Sequence, residues 1–185
     1  MKHIKRNLSI FASCIVIGFT AAGNAASYVD MGDVTGVKGT VEAVSKATQR
    51  ELSLEDDIFE GETIKTGDKG ALSAKLSDGG SLQIPPNSQI EISKFLLNSE
   101  KPEGKLKVIK GAFRLTSGRL NKMPGGNLTI ETPMATLGIR GTDFYVSQKS
   151  DELTISLIDN GVIDVNDING KEFTLDEPMT SIVIR

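Results

Sequence analysis

The chain has 185 residues with 24 acidic and 21 basic side chains, one histidine, one cysteine and no tryptophan, for a net charge of -3. Its only histidine and cysteine, His3 and Cys14, both precede residue 25. The chain beyond that point can therefore build no Ser-His triad, Cys nucleophile, disulfide or His-based metal site.

The N-terminus reads as a secretory signal peptide. Lys2, Lys5 and Arg6 form a basic segment, an apolar run extends from Leu8 to Ala22, and small residues from Ala21 to Ala26 supply a cleavage site after Ala25. The apolar run has 15 residues, short of the ~20 that a spanning helix needs. Cys14 lies inside this run and does not close it, so it does not fit a lipidation site. The expected organisation is a leader over 1–25 and one domain over 26–185, exported to the periplasm or secreted. Its eighteen basic and 24 acidic residues make that domain net acidic. With no basic-aromatic pattern either, nucleic acid is not an expected partner.

Beyond the leader the pattern is strand, turn, strand. Apolar side chains alternate with polar ones at Leu72-Ala74-Leu76, Leu82-Ile84, Ile90-Ile92, Leu106-Val108 and Phe113-Leu115. The alternation continues at Leu128-Ile130, Leu153-Ile155-Leu157, Ile163-Val165, Phe173-Leu175 and Ile182-Ile184. Period two marks strands with one buried face. Turn clusters separate them: Gly67 to Gly70, Asp78 to Gly80, Pro85 to Asn87, Pro124 to Gly126, Asp159 to Gly161 and Asn169-Gly170. Only 43–54 offers an alternative, a short helix. The predicted fold is all-β, a single domain of many short antiparallel strands arranged as a sandwich, β-roll or short solenoid.

Charge is uneven along the chain. Between Lys94 and Lys122 basic residues dominate, Lys105, Lys107 and Arg114 among them, while 151–177 is acidic. Either the basic stretch forms a face for an anionic partner, or polar strand faces neutralise one another in the fold. The run Asp164 to Gly170 is rich in oxygen donors. An EF-hand loop with its glycine at Gly170 would have to begin at Val165, so the run reads as a polar turn. Asp56 and Asp57 are adjacent, and adjacent strand residues face opposite sides, so they do not flank one bond. No catalytic residue, cofactor or metal is expected.

The sharpest motif is Thr132 to Val146, Thr-Pro-Met-Ala-Thr-Leu-Gly-Ile-Arg-Gly-Thr-Asp-Phe-Tyr-Val. Gly138 and Gly141 are expected to let the backbone bend, with Phe144 and Val146 on one strand face and Tyr145 on the other. Arg140 suits a bidentate pair with a carboxylate, either Asp143 nearby or Asp68 in the Thr66-Gly-Asp68 turn. Arg140 is expected to be a structural clamp, whose removal strands a buried carboxylate, with a ligand-binding arginine as the alternative.

Together with Gly61-Glu-Thr-Ile-Lys-Thr-Gly67, Asp78-Gly-Gly-Ser81, Pro86-Asn-Ser88, Ile90-Glu-Ile92 and Gly161-Val-Ile-Asp-Val165, this motif resembles the FecR domain of secreted and periplasmic bacterial proteins. The matching segments run in family order over about residues 34–168. The resemblance implies a non-enzymatic extracytoplasmic module that binds or scaffolds, with an envelope protein or glycan as partner. In the family's namesake, a cytoplasmic N-terminal region and a membrane span link periplasmic sensing to a sigma factor. Here seven residues precede the apolar run, too few for such a region. A sensor-regulator of transmembrane signalling with the apolar run retained as an anchor is the alternative.

Overall fold

The computed structural model describes residues 29–185; the leader, His3 and Cys14 lie outside the described residues. Strands β1 to β4 are Asp30–Lys38, Val41–Val44, Gln49–Glu51 and Asp57–Phe59, and β5 to β8 are Thr63–Thr66, Ala71–Leu76, Ser81–Ile84 and Gln89–Leu96. Strands β9 to β12 are Glu103–Thr116, Asn127–Glu131, Ala135–Arg140 and Asp143–Gln148, and β13 to β16 are Leu153–Leu157, Val162–Asp167, Glu172–Leu175 and Thr180–Ile184. One short 3-10 turn, Leu120–Lys122, joins β9 to β10. The all-β expectation holds. The segment 43–54 is strand and turn, because Ser45 Oγ accepts the Ala47 and Thr48 amides and closes a hairpin between β2 and β3.

Hydrogen bonding connects all sixteen described strands, but the ladder folds into two sheets. The first runs β4-β1-β6-β7-β9-β12-β13-β16. The second runs β3-β2-β5-β8-β9-β10-β11-β14-β15. They share the 14-residue β9. Its first half pairs with β8 and β10, and from Gly111 onward it pairs with β12 and β7. The expected antiparallel pairing is met except at β9 and β10, which run parallel. The chain leaves β9 in the first sheet and returns through 117–126 to the second sheet, where it lies beside the strand's opening half in the same direction.

Each strand buries alternate residues, as period two dictates, and the inward faces of both sheets merge into one core. Val34, Leu72, Leu82, Leu115, Phe144 and Ile155 come from the first sheet, and Ile64, Ile90, Leu106, Ile130, Leu137 and Ile163 from the second. Each such side chain removed from water contributes about 1.5–3 kcal/mol. Phe113 and Phe144 meet edge to face at 5.7 Å and 84°, a geometry worth about 0.5–1.5 kcal/mol beyond area alone.

The corner in β9 depends on Gly111, whose φ of +84° lies in the left-handed region. A Cβ there would sit 2.4 Å from Ser88 Cα and 2.7 Å from Asn87 O. Ser88 closes the corner by accepting the Ala112 amide at 3.0 Å, while its own amide donates to Thr66 Oγ1 at 2.9 Å. Gly170 also has positive φ, +79°, but open space where its Cβ would be. Gly170→Ala should therefore cost only the conformational strain, about 1–2 kcal/mol. Gly111→Ala should cost clearly more in the same urea melts, because backbone blocks the new methyl. Equal losses would show that the fit of Ser88 against the corner contributes nothing.

Candidate functional site

The motif from Thr132 to Val146 builds a place where the chain changes sheets. Thr132 starts it: its Oγ1 accepts the Met134 and Ala135 amides at 3.2 and 2.9 Å and closes the β10–β11 hairpin. Strand β11 then buries Ala135, Leu137 and Ile139 in the second sheet, and β12 buries Phe144 and Val146 in the first. Tyr145 faces outward, as expected. Gly141, with φ +57°, makes the crossing. Gly138 makes no bend: it lies mid-strand in β11, paired with Thr129 and Asp164.

Thr142 is buried at the crossing and tied on two sides. Its Oγ1 donates to the Asp159 carbonyl at 2.9 Å. Its amide donates to Ser117 Oγ at 2.7 Å, and Ser117 Oγ returns a bond to the Thr142 carbonyl at 2.9 Å. The link from β13 to β14 passes alongside in the opposite sense. There Gly161, with φ +149°, has no room for a Cβ, which would lie 2.4 Å from both Gly141 O and Thr142 Cβ. Ser117, Thr142 and Gly161 thus interlock two crossings. Sequence reading missed Ser117 and the role of Thr142. The sequence marks Gly161 as a turn glycine and as the start of the Gly161 to Val165 segment, but not for its fit against the crossing.

The charged residues expected at this site separate. Asp143 pairs with Arg114 across the β9–β12 ladder, through Nε at 2.9 Å and Nη2 at 2.6 Å. This is a bidentate fork whose carboxylate is only 16% exposed. The hydrogen bond to Asp143, followed by its charge, holds the Arg114 guanidinium's pKa above its ordinary value. Arg140 meets neither Asp143 nor Asp68. It reaches Asp164 on the neighbouring β14 at 2.7 Å, with its side chain 75% exposed. The register explains the mismatch: Arg140 and Asp143 flank the crossing and end in different sheets. The clamp is real but belongs to Arg114, and the carboxylate opposite Arg140 is not buried. Asp68 is exposed in the turn between β5 and β6.

The basic stretch forms no continuous basic face, because acids interleave with it. Lys94 pairs with Glu103 at 2.7 Å and Lys105 with Glu131 at 2.5 Å. The bond to Glu131 is the main cause raising the Lys105 pKa, against partial desolvation. Lys107 is exposed in register between Glu91 and Glu131. In the oxygen-rich run, Asp164 is taken by Arg140 and Thr174, and Asp167 accepts the Asn169 and Lys171 amides to close its turn. Among the described residues no cluster of His, Cys, Asp and Glu could hold a metal ion.

A second clamp went unrecognised in the Gly61-Glu62 motif. Glu62 is 2% exposed; it pairs with Arg50 at 3.0 Å and accepts the Phe59 amide at 3.0 Å. Arg50 also lies 5.5 Å over the Phe59 ring. The sequence marks Glu62 only as part of the Gly61 to Gly67 segment of the family resemblance, with no sign of its partner.

Arg140→Ala should change stability by no more than about 0.5 kcal/mol, as exposed pairs do. Arg114→Ala should cost about 1–2 kcal/mol by leaving the Asp143 carboxylate without its fork. A double-mutant cycle of Arg114→Ala with Asp143→Ala, read by urea melts, should give a coupling near 1 kcal/mol. A larger loss at Arg140 than at Arg114 would reverse the assignment.

Comparison with known proteins follows this architecture. A family model described as FecR protein matches residues 62–163, just over half of the chain. Two crystal structures of a protein from Parabacteroides distasonis ATCC 8503, described as a candidate anti-sigma factor, share the fold. Each superposes with a TM-score of 0.52 at 18% identity, covering 65% of this chain and 53% of the other. The chain thus spans about half the length of the solved structures it matches. No curated protein sequence matches it.

Proposed function

Because this chain belongs to the FecR protein family, we propose that it is a non-catalytic binding module of the cell envelope, exported by its N-terminal leader. The observation that carries this reading is what the family motif builds. The side chains of Thr132, Thr142 and Asp143 do not converge on a cleft. Thr132, Thr142 and Asp143 close a hairpin, plug a crossing and fork with an arginine. The motif holds two sheets in place and leaves their outward faces to meet a partner. The groups best suited to acid-base work at this end, Asp143 and Asp164, are engaged by Arg114 and Arg140. An envelope protein or glycan is the partner class.

A second reading is favoured by the fold shared with the candidate anti-sigma factor. In it the chain regulates transmembrane signalling and keeps its apolar run as an anchor. No helix among the described residues is long and apolar enough to cross a membrane; in this reading the apolar run from Leu8 to Ala22 is the anchor.

Envelope fractionation with N-terminal sequencing decides between them. A protein beginning near Ala26 in the soluble envelope fraction is expected. An intact N-terminus in the membrane fraction would establish the anchored regulator instead.

A further inference from the structure

The outward face of the first sheet carries a feature that the crossing does not use. Strand register sets Ser73, Gln83, Arg114, Tyr145, Ser156 and Ser181 in one row across β6, β7, β9, β12, β13 and β16. At the spacing of paired strands this row is about 24 Å long. At its β6–β12 end the surface dips into an open groove of about 340 Å³, lined by Ala71, Ser73, Gln83, Pro85, Arg114 and Tyr145. That volume falls within the range of small-ligand sites, roughly 300–1,000 Å³.

We propose that this groove binds a neutral hexopyranose oligosaccharide, laid across the strands along the row. The inference rests on the binding-module reading and takes its glycan arm. Three properties select the ligand. First, polar capacity is free: among the described residues no protein hydrogen bond engages the Tyr145 hydroxyl, the Gln83 amide or the Ser73 hydroxyl. An amide and a phenol at fixed spacing offer both donors and acceptors, as the vicinal hydroxyls of a sugar require. Second, the charge is cancelled in place. Asp143 takes Arg114 through Nε and Nη2, leaving Nη1 as a held donor in a neutral pair, which does not favour an anion.

Third, apolar surface is present but thin. The Tyr145 ring, Pro85 and Ala71 can cover the C–H face of a pyranose. The rest of the row is serine: Ser156 and Ser181, hydrogen-bonded to each other at 2.8 Å, continue it as a low hydroxyl track. A protein partner would call for large apolar or aromatic anchors at the centre of its footprint, and this row offers one aromatic side chain.

The purified exported protein, labelled with ¹⁵N, would be titrated with a glucose tetramer, an N-acetylglucosamine tetramer and polygalacturonate. Saturable shifts with a neutral tetramer are expected at the amides around Ser73, Gln83, Arg114 and Tyr145, unchanged in high salt. Exposed Gln83 is the safe substitution: Gln83→Ala should weaken binding about fivefold, the equivalent of one lost hydrogen bond. Tyr145→Ala should weaken it about tenfold or more by removing both the stacking face and the hydroxyl, and Tyr145→Phe should recover the stacking part alone, remaining about fivefold weaker than the unchanged protein. Thermal melts of each variant separate binding loss from unfolding. Saturable binding to neither neutral tetramer, shifts confined to another surface, or binding to polygalacturonate alone that salt abolishes would each overturn the proposal. Export is read separately from the N-terminus, so an exported protein that titrates with no neutral tetramer sinks this inference alone.

Discussion

One strand belongs to two sheets, and everything else in the molecule is arranged around that constraint. The ladder of β9 turns from one sheet into the other at Gly111, which takes the left-handed conformation. The corner then has to be filled. Ser88, held by Thr66 and bonded to Ala112, fills it so closely that a single methyl on residue 111 would collide with backbone. Thr66 ends β5 and Ser88 lies in the link before β8, so the two flank the chain's passages between sheets on either side of the β6–β7 hairpin. At the opposite end of the second half of β9, Ser117 begins the interlock with Thr142 and Gly161. The family motif is thus the far anchor of the same strand.

This arrangement explains which parts of the fold were legible. Period-two burial is a local property, so strands such as β6 and β13 could be read from three alternating apolar residues each. So could most turns, because Asp-Gly and Asn-Gly announce themselves. Sheet membership is not local. Nothing in Lys105 to Leu115 distinguishes the half that pairs with β10 from the half that pairs with β12, apart from one glycine in an unbroken strand pattern. The parallel alignment of β9 and β10 was hidden for the same reason: it depends on where the intervening loop returns the chain. The short helix considered over 43–54 competed well only because a hairpin this small has too few residues to show its period.

The site followed a similar division. Its composition was visible, including the arginine that would fork with Asp143, but the pairing was not. Proximity in sequence favoured Arg140, three residues away. The sheet crossing between them sends Arg140 toward Asp164 and brings Arg114, 29 residues away, alongside Asp143. Hydroxyl groups were the least legible. Ser117 and Thr142 act through backbone amides and carbonyls that only the fold brings near, and a sequence gives no cue to that, whereas Thr132 bonds amides two and three residues on. Glu62 is similar, since its burial depends on Arg50 arriving from a strand two pairings away.

The parallel alignment of β9 and β10 also bears on how the molecule assembles from its N-terminus. Until β10 and β12 follow, β9 has partners on one side only, β8 for its first half and β7 for its second. The emerging half-molecule therefore presents a 14-residue strand with an open edge in both sheets. Open edges of that length invite pairing with another chain, and non-local strand pairing is slow. The interval between completion of β9 and arrival of β12 is the stage at which a holding chaperone would have most to protect. Among the described strands, those that end the two ladders, β3, β4, β15 and β16, are far shorter, three to five residues each.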